Sequence, residues 1–265
     1  MPAEPLVSVC LGVKNGARTI ARFIDAVRAQ TYPALELVIV DNHSADGTAE
    51  ICQKGADKFF TLGPERSAQR NKALREAAGE YALVLDADQY LTPGVVADCV
   101  ATLRADPAAH GLFVPEETLA EGFWGACKKF ERDFYLGGDL SAEAARFFRR
   151  EEVLAIGGFD ERQTGSEDWD LSDRMLATYG KLGRISSRII HDEGFIDLAE
   201  QIKKKRYYAR SGISDYLKTA PSFRRVPFPL RPSVRRQWSR LLLHPVLAAG
   251  TLYMKLREGL SVLRP

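Results

Sequence analysis

The stretch Gly79-Glu80-Tyr81-Ala82-Leu83-Val84-Leu85-Asp86-Ala87-Asp88 carries a short apolar run that ends on two aspartates. A run of this length after Gly-Glu predicts a buried strand. Carboxylates at its C-terminal end would sit at the mouth of a parallel sheet, where open α/β folds bind ligands. Two charged carboxylates cannot be buried there without a partner. A hard divalent cation carrying phosphate oxygens meets that need, because Mg²⁺ is usually held by one or two carboxylates plus substrate phosphates. An isolated Asp-x-Asp equally fits a strand end followed by a solvated turn, so the flanking segments have to decide.

Upstream, residues 6–13 read as a strand closed by the Asn15-Gly16 turn, and residues 19–30 as a helix with Ile20, Phe23, Ile24 and Val27 on one face. A second strand, 36–40, runs into the polar loop Asp41-Asn42-His43-Ser44. A helix then starts near Asp46 and continues through Cys52, a short strand covers 58–62, and a helix spans about 66–78. Strands alternating with helices of this length predict right-handed βαβ units and a parallel sheet whose strand ends open on one crevice. The chain has neither G-x-G-x-x-G nor G-x-x-x-x-G-K-[ST], which argues against a dinucleotide-binding Rossmann protein and a P-loop NTPase. Downstream, the pattern predicts a helix over 92–105, a strand over 111–115, a helix from Asp168 to Tyr179 and a strand from Arg184 to His191. Residues 144–149 fit strand or helix.

The composition, 45% hydrophobic and 27% charged, suffices for a sizeable core. Cys10, Cys52, Cys99 and Cys127 show no C-x-x-C spacing, so they read as buried free thiols of a reducing compartment rather than a zinc site. Met1–Pro5 has no basic, apolar leader character, and no secretory signal is expected. Charge is unevenly placed. Residues 201–265 hold 15 Lys/Arg against 2 Asp/Glu, a balance of +13, whereas residues 1–200 hold 22 against 33, a balance of −11. Such asymmetry points to a basic extension meeting an anionic partner.

Four segments follow one another in order: Val7 through Val13-Lys14-Asn15-Gly16; Val38-Ile39-Val40-Asp41-Asn42-His43-Ser44-Ala45-Asp46-Gly47-Thr48; Ala68-Gln69-Arg70-Asn71 leading to Leu85-Asp86-Ala87-Asp88; and Gly157-Gly158-Phe159-Asp160-Glu161 followed by Glu167-Asp168-Trp169-Asp170. This series closely resembles the family 2 glycosyltransferases over roughly residues 6–195. The resemblance implies an α/β GT-A fold, Rossmann-like with a mostly parallel central sheet flanked by helices. It implies a catalytic domain over 1–200, with a nucleotide-sugar half to about 110 and an acceptor half beyond, and a basic helical extension over 201–265. By the same resemblance Val13, Asn15, Asp41, Arg70 and Asp86 would contact the nucleotide. Asp88 and Asp86, with His191 as a third ligand, would hold Mg²⁺ or Mn²⁺. Asp168 would be the catalytic base with Glu167 beside it, and Arg70 and Asn71 match the family's helix-start pair, a position that fits either a nucleotide contact or a brace of the sheet. One position departs from the pattern: Gln89 stands where many relatives carry a third acid.

The implied activity is an inverting, metal-dependent transfer of sugar from a nucleotide-diphosphate sugar, a UDP-sugar first of all, to a glycan or lipid-linked acceptor in surface-polysaccharide assembly. A polyprenyl-phosphate sugar synthase is the alternative within the class. A nucleotidyltransferase or a catalytically dead membrane scaffold are the alternatives outside it. In the extension, Lys203-Lys204-Lys205-Arg206 and further arginines precede an apolar span, 241–254, of only 14 uncharged residues. A spanning helix needs about 20, so this span reads as interfacial, with Trp238 and Tyr253 at the water boundary. The expected partner is therefore an anionic membrane surface, with the enzyme peripheral on the inner face of the cell membrane. No RNA- or DNA-binding motif accompanies the charges, and nucleic acid is not expected as a partner.

Overall fold

A computed structural model describes residues 4–210 and 213–263; the first three residues of Met1–Pro5 lie outside them. The chain forms two compact units, one of Met1–Val114 with Ala144–Ile189, the other of Pro115–Glu143 with Ile190–Pro265.

In chain order the first unit begins β1 (Val7–Val13), α1 (Ile20–Arg28), β2 (Leu35–Asp41), α2 (Thr48–Gly55), β3 (Lys58–Thr61), α3 (Arg66–Glu76), β4 (Tyr81–Leu85), β5 (Gln89–Leu91), α4 (Val95–Ala105) and β6 (Gly111–Phe113). The chain then passes through β7 (Glu116–Glu121) and α5 (Gly122–Asp133) of the second unit. It returns as β8 (Ala145–Arg149), α6 (Arg150–Ala155), α7 (Glu167–Tyr179) and β9 (Gly183–Arg184). One seven-stranded sheet orders these strands β3-β2-β1-β4-β8-β6-β9. Strands β3, β2, β1 and β4 are parallel, and β8 runs antiparallel between β4 and β6. The ambiguous segment 144–149 is thus a strand, and the fold is the expected mostly parallel α/β sheet flanked by helices. Parallel pairing puts the ends of β1, β2, β3 and β4 on one rim, with Val13 opposite Asp41 and Asp41 opposite Thr61.

Helix α1 buries the face anticipated from its spacing, Ile20, Phe23, Ile24 and Val27. A buried cluster joins Cys10, Val38, Val40, Ala82 and Val84 of the sheet to Ala73 and Leu74 of α3 and to Leu171 and Met175 of α7. Leu171 and Met175 are four apart, so they share one helix face. Burying that face against the sheet aims the N-terminus of α7 at the strand-end rim. All four cysteines are buried and free, and burial pushes the thiols of Cys10 and Cys52 up to about 12, so neither is a reactive thiolate.

The second unit continues with β10 (Ile189–Phe195), α8 (Leu198–Arg210), α9 (Ile213–Thr219), α10 (Pro232–Arg236), α11 (Ser239–Leu243) and α12 (Pro245–Leu263). Strands β7 and β10 are neighbours. Phe130, Phe134 and Tyr135, on and just after α5, pack with Phe228, Val234 and Ala248. The boundary expected at residue 200 is accordingly displaced. Residues 115–143 fold with the C-terminal segment because α5 supplies the aromatic face that covers it. Several basic residues of the extension expected to meet an anionic partner are structural: Arg224 donates to Leu140 O (2.5 Å) and Glu143 O (2.6 Å), and Arg231 to the Tyr135 hydroxyl (2.7 Å).

Candidate active site

At the rim, Asp41 ends β2 with its side chain buried. Its Oδ2 accepts the Ser44 N–H at 2.9 Å, which closes the loop after the strand. Ahead of the helix that follows, Asp46 Oδ1 accepts from Thr48 N at 3.2 Å. Asp41 Oδ1 is left buried without a hydrogen-bond partner, as are Gln69 Nε2, Arg70 Nε and Gln89 Nε2. Native proteins leave few buried polar atoms unsatisfied, and these belong to residues at the end of β2, in the first turns of α3 and just after the β4 turn. Val13 is buried on β1, and its carbonyl accepts from Asn42 N at 2.8 Å. Asn15, in the left-handed region at φ 48°, ties two loops together: its Oδ1 accepts from Ala45 N at 3.0 Å and its N–H donates to Ser44 Oγ at 2.8 Å.

The turn after β4 is fixed by the residue that departs from the family pattern. Gln89 is fully buried and its Oε1 accepts the Asp86 N–H at 2.9 Å, while Gln89 N donates to Asp86 O at 3.0 Å. This reciprocal pair holds Asp86 and Asp88 on one tight turn. Both are hard oxygen donors. Among the described residues no group of three or more His, Cys, Asp or Glu side chains is arranged to hold a metal by itself. The donor set that these residues do fit is two carboxylates completed by phosphate oxygens. His191 lies inside β10 of the second unit rather than at a strand end, with Nδ1 3.3 Å from Glu116 Oε2.

Arg70 organises the centre of the rim. It is fully buried, with Nη2 2.7 Å from Asp86 Oδ1, and Nη1 2.6 Å from Asp168 Oδ1 and 3.3 Å from Glu167 Oε1. Arg70, which the resemblance placed against the nucleotide, is enclosed here by these carboxylates, with no exposed surface of its own. Two further arginines, which the sequence reading left unassigned, complete the cluster. Arg146 on β8 places Nη1 3.5 Å from Asp168 Oδ2 and 4.0 Å from Asp86 Oδ2, and Arg66 Nε lies 2.9 Å from Glu167 Oε1. The signal for Arg146 was a charge inside the apolar strand Ala145-Arg146-Phe147-Phe148, which requires a buried partner.

Burial alone would raise the pKa of Asp86. The charges of Arg70, Arg66 and Arg146 outweigh it and hold this carboxyl well below the usual range. Burial likewise opposes the charge on Arg70, yet Asp168, Asp86 and Glu167 push its pKa further above the ordinary arginine range. The two acids of the pair part company. Glu167 has 2% of its side chain exposed and is held by Arg66, Arg70 and the Gly165 N–H, whereas Asp168 has 25% exposed. Glu167, expected beside Asp168 as a catalytic residue, is thus enclosed, and only Asp168 presents carboxylate surface. Asn71, whose helix-start position next to Arg70 fitted either a nucleotide contact or a brace, is a brace. Its Oδ1 accepts from Phe159 N (2.8 Å), and its Nδ2 donates to Phe159 O (2.9 Å) and Glu161 Oε1 (2.9 Å).

A mostly parallel sheet thus carries paired aspartates at its rim, with a partly exposed acid opening a helix beside them, and the fold is that of the GT-A type. The chain belongs to glycosyl transferase family 2, whose family model matches residues 8–148, more than half of its length. It is 27% identical over 238 residues to the hyaluronan synthase of Pasteurella multocida, covering 80% of this chain and 24% of that protein. The chain spans well under half the length of curated relatives that it matches. Among solved structures, it superposes on the mannosyltransferase PcManGT from Pyrobaculum calidifontis, in complex with GDP-Man and Mn²⁺, with a TM-score of 0.62 at 19% identity, covering all of this chain and 77% of that one. For residues 1–349 of S. aureus TarS in complex with UDP the TM-score is 0.60 at 17% identity, covering 96% and 90%.

Proposed function

We propose that the chain is an inverting glycosyltransferase that moves a sugar from a nucleotide-diphosphate sugar to a hydroxyl of a glycan or lipid-linked acceptor. The observation that carries this reading is the Arg70 bridge: one guanidinium ties the donor-side carboxylate Asp86 to the exposed acid Asp168. Asp168 is then the catalytic residue. It accepts the proton of the acceptor hydroxyl as that oxygen bonds to the anomeric carbon, and the bond from that carbon to the diphosphate oxygen breaks with its electron pair leaving on the diphosphate. A single displacement of this kind inverts the anomeric centre. Arg70 and Glu167 are positioning residues that set the carboxylate of Asp168 against the donor side.

The base is read by Asp41. Its orphaned Oδ1 is an acceptor, which suits the imide N–H of uracil or the ring N–H of guanine. Cytosine and adenine present acceptors at the equivalent ring nitrogens. UDP-sugars are the first choice, and the UDP and GDP-Man complexes of the fold neighbours support this pair of bases. Asp88 with Asp86 would hold a divalent cation, which when bound neutralises charge on the leaving diphosphate. Relatives named as hyaluronan synthase, chondroitin synthase and an O-antigen biosynthesis protein support a surface glycan as the setting.

A thermal-shift screen of nucleotide sugars with and without Mn²⁺ tests the reading. Stabilisation by a UDP- or GDP-sugar that requires Mn²⁺ is expected. Equal response to ADP- and CDP-sugars would remove the base assignment, and no response to any of them would remove the donor class.

A further inference from the structure

Helix α12 is turned inside out with respect to a soluble surface helix. Apart from Arg257, the charged residues described on it, with Thr251, face inward. Lys255 Nζ pairs with Glu131 of α5 (2.8 Å) and Glu258 (3.2 Å), Gln201 Nε2 of α8 donates to Glu258 Oε1 (3.0 Å), and Thr251 Oγ1 donates to Cys127 O (2.9 Å). The outward face carries Val246, Leu252, Tyr253, Leu256 and Leu260 instead, and the preceding helix α11 adds exposed Leu242 and Leu243. Leu243 is 73%, Val246 67% and Leu256 59% exposed. A monomeric soluble protein does the reverse, burying its apolar stripe and showing its charges to water.

What covers this face is told by the residues that accompany it. Arg235 and Arg236 on α10 and Trp238 just before α11 flank it along the chain and are exposed, Arg257 is exposed on α12 itself, and α8 shows Lys203, Lys204 and Arg206 to solvent. An isologous contact with a second copy would set each of these arginines against the same arginine patch of its partner. A lipid surface with anionic headgroups satisfies both features at once, taking leucines into the acyl boundary and arginines among the phosphates. Trp and Tyr favour that same boundary. No helix of the described residues is long and apolar enough to cross a membrane.

We infer that the outward face of α11 and α12, centred on Leu243, Val246 and Leu256 and accompanied by the exposed Arg235, Arg236 and Arg257, docks the protein on an anionic membrane surface. The inference stands apart from the sugar chemistry, because it uses no residue of the rim.

Flotation of the full chain with phosphatidylcholine vesicles, with and without phosphatidylglycerol, tests it. The wild type floats with the anionic vesicles, less so at high salt, and stays down with the neutral ones. The double variant Leu243→Glu/Val246→Glu, exposed positions where the fold tolerates charge, loses about tenfold or more of the binding. Arg235→Ser/Arg236→Ser weakens the anionic preference. Trp238 fluorescence shifts to the blue on binding, and Trp238→Phe removes that shift. The inference is overturned if the wild type fails to float with anionic vesicles at low salt, or if the double variant floats equally well. It is also overturned if sedimentation equilibrium shows a dimer that the double variant converts to monomer. Mn²⁺-dependent UDP binding is unaffected in either case, so failure here leaves the transferase reading standing.

Discussion

Arg70 Nη1 lies 2.6 Å from Asp168 Oδ1, across 98 residues of sequence. The same buried guanidinium reaches Asp86 at 2.7 Å and Glu167 at 3.3 Å. Three carboxylates therefore share one fully enclosed cation as their hub. Removing one partner of a buried ion network leaves uncompensated charge and costs about 3–5 kcal/mol. Arg70→Ala should lose stability of that order in urea denaturation. Arg70→Lys should recover only part of it, since a point ammonium cannot span Asp86 and Asp168 as the planar fork does. A near-wild-type midpoint in Arg70→Ala would show that the network contributes nothing to holding the rim.

The difference in exposure between Glu167 and Asp168 separates their roles. Asp168→Asn keeps the shape and the donor site but loses the proton acceptor. Turnover, or donor hydrolysis where no acceptor is in hand, should fall by roughly 10²–10⁴-fold, with UDP affinity in calorimetry unchanged. Glu167→Gln should instead lower stability by about 1–3 kcal/mol, because it weakens charge-assisted bonds to Arg66 and Arg70, while keeping measurable turnover. Near-wild-type rates in Asp168→Asn would remove it as the base.

Much of the fold was legible because it rests on local pattern. The apolar run 81–85 is β4 to the residue, and the helical spacing of Ile20, Phe23, Ile24 and Val27 is the buried face of α1. Residues 144–149 were ambiguous because a short apolar run with interspersed arginines satisfies either period; antiparallel pairing with β4 and β6 decides it. At the site, the positions of Asp41, Asp86, Asp88 and Asp168 could be read from motifs. The salt-bridge partners Arg146, of Asp86 and Asp168, and Arg66, of Glu167, could not, since which cation a carboxylate meets depends on tertiary placement. In the C-terminal segment, length and basic flanks made the span 241–254 read as interfacial, but which side of α12 faces out could not be read, because it depends on Lys255 and Glu258 pairing on the inside.

Asp88 is expected to be the residue on which divalent dependence turns. With only Asp86 and Asp88 on the turn after β4, and Asp86 engaged by Arg70, loss of the second carboxylate leaves too few hard donors for a phosphate-bridging ion. Calorimetry should show Mn²⁺-dependent UDP binding in the wild type and none in Asp88→Asn. Normal affinity in that variant would refute the ligand role.

Gly158 tests the brace beneath the pair of acids. Its φ is +69°, and a Cβ there would approach Asn71 Oδ1 to 2.4 Å. Gly158→Ala thus combines left-handed strain, about 1–2 kcal/mol, with displacement of an amide that holds both backbone groups of Phe159. Thermal unfolding should drop by several degrees, with a further loss of turnover as the segment leading to Asp168 shifts. An unperturbed melting temperature would show that the turn can relax away from Asn71.

The pH dependence of stability should carry a signature of the second unit. Glu131 is enclosed, its Oε2 2.8 Å from Lys255 Nζ. Burial would raise its pKa, but the charges of Lys255, Arg132 and Arg231 outweigh this and lower it to about 2. A carboxyl depressed on folding contributes stability that is complete above its unfolded pKa, about 4.3. That contribution is lost as pH falls toward the folded value. Linkage puts it on the order of 3 kcal/mol. Glu131→Gln lacks that titration, so its stability deficit relative to wild type, measured by urea denaturation, should be full near pH 6 and shrink steadily between pH about 4.5 and 2. A deficit constant across that window would show that Glu131 is no more acidic in the folded protein than in the unfolded chain.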